Sequence, residues 1–257
     1  MHTAFSSTSL QGRVAVVTGA TGGIGQAICQ QLHAMGAAVA QVDIHADPSA
    51  AAPAGGIHLR CDIADPASVA EMARQVREQL GRCDILVNNA AVSAPPTALE
   101  DFPIERWDHI LRVNLRGALL YAQSIFALMR QQPTGSIINV ASISAQSPTR
   151  VGAYGTAKAA LQALTRQMAV EWGPLGIRAN AISPGMIRTP LSEVHYRDEG
   201  VLQKRNASIP ARRVGVPADI AGAVAFLASD ASLYVNGEDI VVDGGFLKAS
   251  LSNLYRD

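Results

Sequence analysis

The sequence predicts an α/β fold, a doubly wound parallel sheet with helices on both faces. Short β-branched runs alternate with longer helical patterns, and a glycine-rich turn joins the first run to the first helix. Of the 257 residues, 48% are hydrophobic, enough for one large α/β core. Strands separated by helices imply right-handed βαβ crossovers, which bury a parallel sheet on both faces.

Arg13–Thr18 predicts the first strand, and Ile24, Ala27, Ile28 and Leu32 recur at helical spacing within Ile24–Met35. Further strands are expected at Ala38–Asp43, Ile57–Cys61, Asp84–Asn88, Ser136–Ala141, Arg178–Ile182 and Asp239–Val242. Helices are expected near 66–80, 104–130, 152–172 and 217–229. The Ala-, Pro- and Gly-rich segments 44–56 and 92–102 read as loops. Residues 186–213, broken by charges, Pro190 and Pro210, follow the sixth strand's carboxyl end, where open α/β sheets bind ligands. They are expected to form a substrate lid. Residues 1–12 read as an N-terminal extension and 13–257 as a single domain.

Lys+Arg and Asp+Glu both number 21, so no global field points to nucleic acid or an anionic membrane, and a small-molecule substrate is expected. Cys29, Cys61 and Cys83 are odd in number and lack CxxC spacing. That argues against a zinc site or disulfide framework and for a reducing compartment. Met1–Gly12 lacks a basic start followed by an apolar run, and no apolar stretch reaches spanning length. A cytoplasmic protein without membrane contact or metal is expected.

Thr18-Gly19-Ala20-Thr21-Gly22-Gly23-Ile24-Gly25 lies between strand and helix. Glycines there let the backbone approach a pyrophosphate, whose charge is met by amides and the helix dipole. The spacing is Gly-x3-Gly-x-Gly rather than G-x-G-x-x-G. Asp43, ending the second strand, would accept hydrogen bonds from an adenosine ribose and repel a 2′-phosphate. No Arg or Lys stands at Thr21 or between Asp43 and Pro53, so the expected cofactor is NAD. Asp62-Ile63 would lie beside the adenine, or Asp62 would cap the helix beginning near Pro66. Tyr154 and Lys158, four residues apart, share one helix face, where the cation can lower the phenol's proton affinity.

These residues resemble the short-chain dehydrogenases/reductases of the YxxxK type. The resemblance runs from Arg13 to Phe246 through Thr18–Gly25, Asp62-Ile63, Asn88-Asn89-Ala90, Asn114, Ser142, Tyr154/Lys158, Pro184-Gly185 and Val242-Asp243-Gly244-Gly245. It implies a seven-stranded Rossmann-like sheet, a nicotinamide cofactor and a homodimer or homotetramer. By resemblance, Tyr154 exchanges the substrate proton, Lys158 binds the nicotinamide ribose and lowers the tyrosine's pKa, and Ser142 polarises the substrate oxygen. Asn114 would hold a water linking Lys158 to solvent, and Asn89-Ala90 would pack against the cofactor. Following Pro184-Gly185, the Ile187 backbone would hold the nicotinamide carboxamide and the Thr189 hydroxyl would face the phosphates. Asn88 is read as a structural bridge between strands.

Two departures stand out. Ala91 replaces the family's glycine after Asn-Asn-Ala, and Ser142 precedes Tyr154 by one residue fewer than in many members, making Ser144 its rival. Residues expected to face the substrate are Ser93, Ala94, Pro95, Ser144, Gln146, Arg150, Met186, Leu191, His195 and Tyr196. Their polarity favours a polyol, sugar or hydroxy acid carrying a secondary alcohol or ketone. The alternatives are a 3-oxoacyl thioester reductase and a catalytically silent NAD sensor or scaffold.

Overall fold

The computed structural model describes residues 9–190 and 192–249. Among the described residues, seven strands, β1 (Val14–Thr18), β2 (Ala38–Asp43), β3 (Ile57–Arg60), β4 (Ile85–Asn88), β5 (Gly135–Val140), β6 (Ile177–Pro184) and β7 (Asp239–Val242), form one sheet in the order β3-β2-β1-β4-β5-β6-β7. Every pairing is parallel. The order reverses between β1 and β4, so a crevice opens outside their carboxyl ends.

All five β1 residues are buried, as a strand covered on both faces requires. Ala15 and Val17 pack toward α1 (Gly23–Ala34) and the later helix Pro217–Ala228, with Ile28, Leu32, Val224 and Leu227. Val16 packs on the opposite face with Met72 and Val76 of α2 (Pro66–Leu80) and Ile125. Asp65 caps α2 by accepting from the Ala67 and Ser68 amides, Pro66 starts it, and left-handed Gly81 ends it.

The expected helix over 104–130 is α3 (Ile104–Leu111) and α4 (Ala118–Met129), joined by a π-helical turn at Arg112–Gly117 that contains Asn114. Helix α5 spans Ala153–Trp172. The 186–213 connection is more ordered than its composition suggested, because it carries α6 (Glu199–Ser208). No α6 residue is buried, so no apolar stripe announced it. The available signal was Asp198, which caps the Gly200 and Val201 amides. Helix α7 is Pro217–Ala228. No described helix is long and apolar enough to cross a membrane.

Candidate active site

A cleft of about 980 Å³ lies at the carboxyl edge of the sheet. Its floor is the turn between β1 and α1. Gly19 has φ +65°, and a side chain there would meet the Ala90 Cα at 2.8 Å. A Cβ on Gly25 would lie 2.1 Å from the Gly19 carbonyl. Gly19 and Gly25 are therefore closed to side chains, which brings the backbone of the turn, with Thr21, Gly22, Gly23 and Ile24, against the cleft. Asn89 fastens it, donating from Nδ2 to the Thr18 and Gly19 carbonyls at 3.0 Å each. The Thr18 hydroxyl accepts from the Asn89 and Ala90 amides, so Asn89 binds the turn while lining the cleft beside Ala90.

At one end of the cleft, Asp43 accepts from the Thr21 amide (3.1 Å) and the His45 amide (3.0 Å). It is both a turn residue and a half-buried carboxylate lining the cleft. Arg60, its register partner on β3, donates Nε to the Ile44 carbonyl. This nearby cation escapes a search of 43–53, since only strand pairing brings it there. The capping reading of Asp62 does not hold, because Asp65 takes that role. Asp62 instead accepts from the Ala64 amide at 2.8 Å and lines the cleft with Ile63.

At the other end stand Ser142, just past β5, and Tyr154 and Lys158 on the first turns of α5. Tyr154 is hydrogen-bonded by Ser142. Ser144, the rival serine, lines the same wall, but its amide donates to the Ser142 hydroxyl. Lys158 is 2% exposed and donates Nζ to the Val140 carbonyl at 2.6 Å, 5.7 Å from the Tyr154 ring centre. The expected lowering of the phenol's proton affinity is not what this geometry gives. Burial pushes the Tyr154 hydroxyl up, with the Ser142 hydrogen bond opposing. Burial also pushes the Lys158 ammonium down to about 8, and the ammonium is directed to a carbonyl rather than the phenol.

Asn114 also departs from expectation. It is buried in the π turn and does not line the cleft. Its side chain grips Val92 in both directions, Nδ2 donating to the carbonyl and Oδ1 accepting from the amide at 2.8 Å each. That fixes the segment presenting Ser93. Asn88 bridges strands through Asn139, which donates in turn to Thr165.

Pro184, Gly185, Ile187 and Thr189 close one side of the cleft. Thr189 Cβ and Pro190 Cδ lie 3.2 and 2.8 Å from the position of a Gly23 Cβ, so this segment rests on the glycine turn. Of the residues expected to face the substrate, Ser93 and Ser144 line the cleft, while Pro95 and Arg150 do not. Ala94 is buried against Phe102 and Ile110. Met186 and Tyr196 pack with Ile209 and Val214 under the 186–213 segment, and Gln146 bonds to Asp239. Leu191 and the His195 side chain lie outside the described residues. His109, Thr149 and Val151 are cleft residues that sequence reasoning missed. They come from α3 and from a loop without regular spacing, and only folding brings them to Tyr154.

A buried cation that titrates near 8 stabilises the fold less below that pH than above it. The unfolded chain holds the lysine proton up to about 10.5, so this group's contribution rises as pH climbs from about 8 to about 10.5. Lys158→Met is expected to stabilise the cofactor-free protein at pH 7 by on the order of 2 kcal/mol, after about 1 kcal/mol is lost at the orphaned Val140 carbonyl. Chemical denaturation at pH 7 and pH 10 checks this; a variant less stable than wild type at pH 7 contradicts it.

The sheet order, the glycine cradle and the Ser-Tyr-Lys wall define an oxidoreductase class: the chain belongs to the short-chain dehydrogenase/reductase family. The family model described as enoyl-(acyl carrier protein) reductase matches residues 19–247. D-threitol dehydrogenase of Mycolicibacterium smegmatis is 39% identical over 249 residues, covering 92% of this chain and 94% of that protein. NAD-dependent glycerol dehydrogenase of Listeria innocua is 36% identical, covering 91% and 93%. A solved structure described as ribose-5-phosphate isomerase from Brucella melitensis superimposes with TM-score 0.90 at 35% identity, covering 97% of this chain and 98% of that one.

Proposed function

We propose that the protein is an NAD-dependent dehydrogenase that interconverts a secondary alcohol and a ketone on a polar small molecule, a polyol, sugar or hydroxy acid. One observation carries the reading. One cleft joins a glycine-rich backbone turn and a carboxylate at one end to a Ser-Tyr-Lys wall at the other. That layout fits a nicotinamide dinucleotide, with Gly19 through Gly25 against the pyrophosphate and Asp43 on the adenosine ribose. Asp62, Ile63, Asn89 and Ala90 would line its bed, Pro184, Gly185 and Ile187 would flank the nicotinamide, the Thr189 hydroxyl would face the phosphates, and Lys158 would reach the nicotinamide ribose.

When bound, the nicotinamide supplies or accepts the hydride. Tyr154 takes the carbinol O–H proton in oxidation and returns it to the carbonyl oxygen in reduction. Ser142 holds that oxygen by a hydrogen bond and steadies the charge it develops. Lys158, directed to Val140 when the ribose is absent, supplies positive charge that favours the phenolate. Asn114 acts at one remove by holding the Val92–Ser93 segment in place. Ser93, Ser144, Thr149 and His109 give the substrate end hydroxyls and an imidazole, which suit a polyhydroxylated ligand better than a long apolar acyl chain. The threitol and glycerol dehydrogenases point the same way. An aldose–ketose isomerase moves hydrogen within one sugar and has no use for a dinucleotide cleft ending in Asp43.

Asp43→Ser is expected to narrow NAD preference by roughly 100-fold in kcat/KM, because the substitution removes repulsion of the 2′-phosphate and leaves Arg60 beside it. Steady-state kinetics with both cofactors decides this, and a wild type already preferring NADP refutes the ribose assignment. Absorbance at the reduced-nicotinamide band with NAD and a panel of polyols, sugars and hydroxy acids tests the substrate class. Turnover confined to acyl thioesters would replace it, and NAD binding without turnover of any alcohol or ketone would favour a sensor.

A further inference from the structure

Asp239 opens β7, outside the cleft, yet three donors from three segments converge on its carboxylate. The Ser183 hydroxyl donates to both oxygens, at 2.8 and 2.9 Å. Gln162 Nε2 donates at 2.6 Å and also reaches the Ser183 hydroxyl. Gln146 Nε2 donates at 3.1 Å. A carboxylate has only acceptors to offer, so it can take all three.

The two glutamines come from the segments that hold the chemistry. Gln162 follows Lys158 by one helical turn on α5. Gln146 closes the short turn that begins at Ser142, in which Ala145 donates to the Ser142 carbonyl and Ser147 to Ile143. That turn also rests on α5, with the Ser144 carbonyl 2.7 Å from where a Gly155 Cβ would lie. We propose that Asp239 is a positioning residue, a brace on β7 that sets the Ser142 turn against the Tyr154/Lys158 helix face through Gln146 and Gln162.

The proposal rests on the Ser142–Tyr154–Lys158 reading, and its test separates the two. Gln146 is exposed, so Gln146→Leu should leave the thermal midpoint unchanged. Asp239→Leu keeps the approximate size and removes both acceptor oxygens. In both variants, hydrogen exchange in the Ser142–Ser147 peptide should quicken by about tenfold. With NAD and the alcohol found in the polyol panel, kcat should drop about tenfold and the KM for NAD should stay within about twofold. The double variant should be no slower than Asp239→Leu alone. Unchanged exchange overturns the brace, and so does faster exchange with wild-type kcat, which would make the contact merely structural. A fully active Tyr154→Phe would instead remove the underlying site reading, while the exchange result would still decide whether the brace exists.

Discussion

Tyr154→Phe should reduce turnover by about 10³-fold while the NAD dissociation constant stays within about twofold. The substitution deletes one hydroxyl from a side chain already packed in the cleft wall, so the site keeps its shape and loses the atom proposed to exchange the substrate proton. Ser142 then loses its hydrogen-bond partner, but its hydroxyl still accepts from the Ser144 amide, so the turn persists. Lys158 stays bonded to Val140. Because burial alone drives the phenol up, proton transfer near neutral pH depends on the positive charge of Lys158 and the bound cofactor. Turnover should therefore rise with pH until the phenol ionises in the loaded site, and that rising limb should vanish with the hydroxyl. Stopped-flow turnover beside equilibrium cofactor titration measures both effects, and retention of more than about a tenth of wild-type kcat contradicts the assignment.

Gly25→Ala is expected to act through the backbone. A methyl placed 2.1 Å from the Gly19 carbonyl cannot be relieved by rotating a side chain, so the turn must open or α1 must shift. The cost should be about 3 kcal/mol of stability, with roughly a 100-fold loss of NAD affinity because the cradle changes shape. Gly222 on α7 provides the contrast, since nothing lies within 4 Å of its would-be Cβ and it is solvent-exposed. Gly222→Ala should raise stability by about 0.5–1 kcal/mol and leave NAD binding alone. Denaturant melts and cofactor titration on the pair distinguish a clash in the cradle from a general effect of adding a methyl group.

The fold was legible because its signals are local. β-Branched runs buried on both faces, the glycine turn after β1 and Pro66 or Pro217 at a helix start all act within a few residues of where they stand. The placement of Gly19–Gly25 and Asp43 along one cleft was legible for the same reason, since glycines and a strand-terminal acid occur in fixed order along the chain. What the sequence hid is what folding assembles. Arg60 reaches the Asp43 corner only through β2–β3 pairing. Asn114 binds Val92 only because the helix bulges there. His109 and Thr149 line one cleft from segments forty residues apart in the chain. Helix α6 had no buried face to give it an apolar period. Spacing also suggested that Lys158 acts directly on the phenol, whereas burial dominates both groups and turns the ammonium to the Val140 carbonyl.

The central claim is that hydride leaves a carbinol carbon as Tyr154 takes the oxygen's proton. Incubating the wild-type protein with NAD and polyols deuterated at each carbinol carbon tests it directly, with mass spectrometry of the cofactor as readout. The account predicts one deuteron in the reduced cofactor for one labelled secondary position, slowed turnover for that isotopomer, and label transfer about 10³-fold slower with Tyr154→Phe. Reduced cofactor that carries no label from any carbinol position, or equal transfer by Tyr154→Phe, would contradict it.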